Sequence, residues 1–253
     1  MKHAKHYGMA CLLAGLAACA TASASSLTYL ITTDTYIDKG SSTANFGASG
    51  SDKVVISSTP CHTLFQLPAD LWSYSADQIA SVKVVFYVFS DKTSSYNVSL
   101  YALTQSFVEG TKSSSSATAD GATWNTYDGV NSWTTAGGDY DSSVSVTATK
   151  SGSSGGSTCF TWDITSLLSD PTVASELKNY GAIQTINGTP PTTSPFQAWA
   201  SFTSSDSTTA TDASQYPHIE ITLVPEPSFG ALALLGGAAL GRRFKRQSAT
   251  HRG

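Results

Sequence analysis

The chain has 253 residues, 40% of them hydrophobic and 13% charged, with 18 Asp and Glu against 14 Lys and Arg. Only seven of those cations (Lys39, Lys53, Lys83, Lys92, Lys112, Lys150 and Lys178) fall between Ser25 and Leu223, where 17 of the 18 acids lie, so this stretch carries a net charge of −10 and no arginine. Such a composition excludes nucleic acid as a partner, because phosphate binding needs clustered cationic side chains.

In chain order, Lys2, His3, Lys5 and His6 form a basic start, Met9 to Ala20 an apolar core, and Ala22-Ser23-Ala24 a run of small residues. That order is a secretory signal spanning residues 1–24, with cleavage expected after Ala24. Leu16-Ala17-Ala18-Cys19 also has the form of a lipobox, which would make Cys19 an acylated residue instead. The body that follows, residues 25–223, is long enough for one large β-domain or two small ones, and no linker divides it. Outside the signal the cysteines are Cys61 and Cys159. In an oxidising compartment the expectation is a Cys61–Cys159 disulfide, closing a loop that removes roughly 4 to 5 kcal/mol of unfolded-state entropy. Two buried thiols on separate strands are the alternative.

Within the body, short stretches alternate between apolar and polar residues. Val82 to Phe89 is apolar on both parities and suits a central strand. Asn97 to Leu103 sets Val98 and Leu100 opposite Ser99 and Tyr101; Val144, Val146 and Ala148 alternate with Ser145 and Thr147; and Ile219, Ile221 and Leu223 alternate with polar neighbours. Each of these three reads as a half-buried antiparallel strand. Asp170 to Gly181 predicts one helix, capped by Asp170, opened by Pro171 and closed by Gly181. The Ser/Gly runs at 113–116 and 151–157 read as exposed loops. Many strands, one helix and no βαβ rhythm predict an all-β fold, an antiparallel β-sandwich of jelly-roll type.

The chain closes on Val224-Pro225-Glu226-Pro227-Ser228, an apolar run of 12 residues from Phe229 to Leu240, and Arg242-Arg243-Phe244-Lys245-Arg246. As helix the run is about 18 Å long, short of the roughly 30 Å of hydrocarbon in a bilayer. The arrangement resembles the PEP-CTERM sorting signal of Gram-negative bacteria. The resemblance implies that an exosortase recognises Pro225, Glu226 and Pro227 while a short transmembrane segment and basic tail hold residues 224–253 in the inner membrane. The processed protein would then reach the cell envelope or the extracellular polysaccharide.

The body resembles the DNRLRE family, which is similar to jelly-roll carbohydrate-binding modules. The matching stretches are Asp34-Thr35-Tyr36-Ile37-Asp38, Asn45-Phe46-Gly47, His62 to Pro68, Ala80 to Val88, Gly121-Ala122-Thr123-Trp124, Trp133 to Asp139, Phe160 to Thr165, and Asn179-Tyr180-Gly181. Where that family has an arginine before the aliphatic strand this chain has Cys61-His62, so a ligand role tied to the arginine does not carry over.

Polysaccharide binding needs flat exposed aromatics beside polar groups. Trp162 lies in phase with Phe160 and Ile164 and reads as core. Trp124 and Trp133 flank the polar stretch Asn125 to Ser132, and Trp199 is out of phase with Ala198, Ala200 and Phe202, which makes these three the ligand candidates, with core packing as the alternative. Asp34 with Asp38, and Asp139-Tyr140-Asp141, are candidate oxygen donors for a structural calcium ion; no other cofactor is expected. Catalysis has less support. Gly152-Ser153-Ser154-Gly155-Gly156 matches G-x-S-x-G without the strand-to-helix context of a nucleophile elbow, and no spacing singles out a carboxylate pair for glycoside hydrolysis. The expectation is a non-catalytic, exported polysaccharide-binding protein, with a structural surface protein or adhesin, and then a hydrolase or lyase, as alternatives.

Overall fold

The computed structural model describes residues 23–91, 96–116, 120–150, 158–186 and 198–225. The strands are β1 (Ser26–Leu30), β2 (Asp34–Asp38), β3 (Ala44–Asn45), β4 (Ser51–Ile56), β5 (Cys61–Phe65), β6 (Ile79–Asp91), β7 (Tyr96–Ala102), β8 (Ser115–Ser116), β9 (Val146–Lys150), β10 (Thr158–Asp163), β11 (Ala182–Ile186), β12 (Ala198–Thr203) and β13 (His218–Leu223). Two helices, α1 (Thr165–Leu168) and α2 (Pro171–Tyr180), sit between β10 and β11. Every described pairing is antiparallel. The fold is all-β, as the alternation requires.

Eleven strands form one sheet in the order β1-β13-β6-β12-β4-β5-β11-β7-β9, with β10 added to β6 and β2 added to β5. The 13-residue β6 explains how it curls. Val84 is in register with both Trp162 of β10 and Ile219 of β13, so these two strands lie on opposite edges of β6. Val88 is likewise shared by Thr158 of β10 and Phe202 of β12. One edge of β6 therefore carries β13 and then β12 in succession, with a register shift in each, and the sheet divides there. β5 repeats the device, with β2 along one edge and β4 and β11 sharing the other.

The curled sheet wraps a core of Phe65, Val84, Phe86, Val98, Leu100, Phe160, Trp162, Phe202, Ile219 and their neighbours. Trp162 is fully buried as its phase indicates, stands edge-on to Phe86 at 6.1 Å, and donates its indole N–H to the Val98 carbonyl at 2.8 Å. Burying an indole without that bond would leave an unsatisfied donor in an apolar site. α2 forms where its capping signals place it: the Asp170 carboxylate accepts from the Thr172 and Val173 N–H groups, Pro171 opens the first turn, and Gly181 ends it. The additional turn α1 follows from Asp163, whose carboxylate accepts from the Thr165 N–H at 3.0 Å.

Strands β2, β5, β11 and β7 are buried on both faces. Their second face carries Ile37, Leu64, Ile183 and Tyr101, covered by Leu103, Phe107, Ala122, Trp124 and Trp133 from the segment between β7 and β9. That segment has little ladder of its own: backbone bonds such as Val108 N–H to the Tyr127 carbonyl (2.9 Å) and Ala122 N–H to the Val108 carbonyl (2.7 Å) fold it on itself, and the Asn45 side chain ties it to β3. Asn45, fully buried on β3, donates to the carbonyls of Glu109 (2.6 Å) and Ala122 (3.0 Å) and accepts from the N–H groups of Gly47 (3.2 Å) and Lys112 (3.1 Å). Gly110, at φ +86°, lies so close to Asn45 and the Asp120 carbonyl that a side chain there would collide with both. Asn45→Ala removes four hydrogen bonds and leaves buried backbone groups unpaired. It is expected to cost about 2 to 4 kcal/mol, and the near-isosteric Asn45→Asp a comparable amount because its oxygens would face two carbonyls. Denaturant midpoints of both variants check this; an unchanged midpoint would remove Asn45 as the anchor.

Candidate ligand-binding surface

The three tryptophans proposed as ligand contacts part company in the structure. Trp124 and Trp133 are 7% and 5% exposed and belong to the second apolar cluster. They flank the polar stretch as expected, but that stretch turns back on itself and both rings point inward. The Trp133 indole N–H donates to the Thr123 carbonyl at 2.9 Å, and Trp124 packs so closely on Gly137 that a Cβ there would stand 2.7 Å from its ring. Both are corrected to packing residues: the doubly buried strands need an apolar cover, and these side chains supply it.

Trp199 is different. It is half-buried on β12, opposite Val55 of β4, and faces away from the main core. It packs on a small outer cluster of Tyr36, Ala44, Phe46, Val55 and Cys61. Tyr36 and Phe46 stack with centroids 4.1 Å apart, and the Lys53 ammonium sits 5.2 Å from the Tyr36 ring centroid, within cation–π range. Lys53 and Val55 alternate on β4 and share this face. The result is a patch with a partly exposed indole, a lysine and, at the end of β2, the half-buried Asp38.

His62 lies on the other face of β5. Its Nδ1 is 2.8 Å from the Gly137 carbonyl and its ring is 5.0 Å from Trp124. Burial lowers its pKa to about 4, only partly offset by the Gly137 bond, so near neutral pH it is an uncharged part of the cover. His218 is also buried, its Nδ1 2.8 Å from the Tyr216 carbonyl.

The Cys61–Cys159 disulfide is not formed; both thiols are free, Cys61 buried and Cys159 exposed. Cys61 is on β5, and Cys159 on β10, which joins the sheet through β6. With β12 and β4 between β6 and β5, the ladder path is about 19 Å, and a bridge needs Cα atoms within about 7 Å. Phase explains the rest: Phe160 and Trp162 point inward, so Cys159 points out, while Cys61 faces the separate outer cluster. Burial and the neighbouring Asp38 hold the Cys61 thiol well above the usual range. A thiol reagent applied to the native protein should therefore label Cys159 and reach Cys61 only on unfolding. Two unreactive thiols recovered as one linked peptide pair would contradict this structure.

The calcium candidates named from sequence are also rearranged. Asp34 and Asp38 begin and end β2, about 13 Å apart along the strand, too far to share an ion. Asp38 instead accepts from the Gly40 N–H. Asp139 accepts from the Thr134 and Thr135 N–H groups and Asp141 from the Ser143 N–H, so both cap turns. Asp34 enters a different group, with Asp52, Glu109 and Asp206, which no spacing in the sequence marks because its members are far apart along the chain.

Ala24 is exposed just before β1, and Pro225 is exposed just after β13, while Cys19, Glu226, Pro227, the Ser/Gly run at 151–157 and the apolar tail lie outside the described residues. Ser26 is in register with Thr222, so the chain enters and leaves the β-domain at the same end. No protein-family model matches the chain, and no curated protein matches it.

Proposed function

We propose that the protein is an exported, non-catalytic component of the cell envelope or extracellular matrix whose β-domain binds polysaccharide through the outer face around Trp199. The observation that carries this reading is the partly exposed Trp199 indole on the same face as Lys53, whose ammonium sits over the clustered Tyr36 ring, on a domain otherwise dominated by acids. An indole face stacks on the C–H face of a sugar ring, and a lysine held beside it suits a carboxylate or sulfate on the same chain. The sequence resemblances to a PEP-CTERM tail and a DNRLRE-type module point the same way, toward exosortase processing and a polysaccharide-rich destination.

Affinity electrophoresis of the purified protein in gels containing acidic or neutral polysaccharides tests the binding. Retention should fall about tenfold in Trp199→Ala and less in Lys53→Ala, with the circular dichroism spectrum unchanged. Absence of retention on every glycan would leave the second reading, a structural surface protein, which the inward-facing Trp124 and Trp133 favour. Release of reducing ends would favour the third, a hydrolase or lyase.

The sorting half of the proposal rests on Pro225 and Pro227, which fix their own φ, donate no backbone hydrogen bond and keep the segment extended. Replacing Pro225, Glu226 and Pro227 by alanine should leave an uncut precursor in the membrane fraction with the β-domain folded. Wild-type processing of that variant would overturn the sorting reading.

A further inference from the structure

At one corner of the sheet four segments bring carboxylates together: Asp34 at the start of β2, Asp52 near the start of β4, Glu109 in the segment after β7, and Asp206 in the turn after β12. Asp34 and Asp52 are fully buried. The Asp34 carboxylate accepts from the Ser204 and Ser205 hydroxyls and the Ser205 N–H, all at 2.9 Å. Glu109 accepts from the Asp34 N–H at 2.8 Å. Asp52 receives no donor: neither of its oxygens accepts a hydrogen bond, and the side chain within hydrogen-bond reach is another carboxylate, that of Asp34.

The charges acting on this group are its own. Asp34, Glu109 and Asp206 all disfavour the charged form of Asp52, with Asp34 the strongest of the three, after burial itself. Burial and the same neighbours push Glu109 up to about 7, and burial outweighs three hydrogen bonds to hold Asp34 at about 6. A buried carboxylate with no donor and three acidic neighbours is strongly unfavourable alone. A proton shared between Asp52 and Asp34 would neutralise one carboxylate and leave the remaining charges of the group opposed; a cation would satisfy both Asp52 oxygens and offset the repulsion among all four.

We propose that Asp34, Asp52, Glu109 and Asp206 bind one hard divalent cation of the calcium class, which clamps the 104–112 and 204–207 segments to the ends of β2 and β4. The donors are carboxylate and serine hydroxyl oxygens with no sulfur or imidazole, which suits calcium over zinc. Among the described residues no three such side chains stand at closed metal-ligand spacing, so binding draws Glu109 and Asp206 inward from their loops. The flexible six- to eight-fold coordination of calcium accommodates that movement, whereas the stricter octahedron of magnesium does not. A depression of about 300 Å³, lined by Ile31, Thr32, Ser205, Asp206 and Tyr216, gives solvent access beside Asp206.

The test is thermal unfolding of the purified full chain after chelation, with calcium chloride or magnesium chloride added back, and metal analysis after gel filtration. Calcium at about a hundredfold excess over its Kd should raise the midpoint by about 5 °C or more, with magnesium giving less. One calcium should be retained per chain. Asp52→Asn should abolish the calcium shift while folding at least as well as wild type without the ion, because an unpaired buried charge is gone. Asp206→Asn, on an exposed turn, should weaken calcium binding severalfold with the fold intact. The proposal is overturned if the chelated wild-type chain folds and retains no calcium, or if Asp52→Asn keeps the full calcium response. It is equally overturned if stability rises only as pH falls through 6 with no response to calcium, since the corner then holds protons.

Discussion

The arrangement of the domain depends on one buried amide. Asn45 joins four backbone groups, that of Gly47 in its own turn and those of Glu109, Lys112 and Ala122 more than 60 residues on, and an amide is suited to this because it both donates and accepts on one rigid plane. Through those bonds it sets the path of residues 109–112 and 122, hence the cover over β2, β5, β11 and β7 and the approach of Glu109 to Asp34. Gly110 is part of the same constraint, since any side chain there would occupy the space the amide fills. Helical or strand ladders satisfy backbone groups locally; this segment, with almost no ladder, combines turn and loop backbone bonds with the three that Asn45 supplies.

Two apolar faces on one layer explain where the aromatic residues went. A sheet with one solvated face would leave Trp124 and Trp133 free to meet a ligand, but here Leu64, Tyr101 and Ile183 on the outer face also need cover. Trp124, Trp133, Phe107 and the neutral His62 provide it. Where that cover ends, over β4 and β12, Trp199 remains partly open to solvent. There Lys53, one of seven cations in the body, stands against an aromatic ring.

The acidic corner and the Trp199 face both draw on β2 and β4, in different ways. Asp34 and Tyr36 are alternate residues of β2, while Asp52 and Lys53 are adjacent on β4 and so point to opposite sides. Order at the corner therefore bears on the strands that carry the aromatic patch. Burial of two carboxyl groups side by side is an unusual feature in a domain whose other acids mostly cap turns, as Asp38, Asp128, Asp139, Asp141, Asp170 and Asp212 do.

Sequence by itself determined the strand character of β6, β7, β9 and β13, the inward phase of Trp162 and the limits of α2, because alternation and capping are local and act within a few residues. It also determined the charge imbalance between the body and the two ends of the chain. Only the tertiary structure decided that Trp124 and Trp133 are packing, that Cys61 is buried in the outer cluster while Cys159 is exposed on another strand, and that Asp34 meets Asp52, Glu109 and Asp206 in preference to Asp38. These outcomes depend on which strands share an edge of β5 and β6 and on how the segment after β7 folds back. Such contacts join residues far apart along the chain, and no local periodicity encodes them.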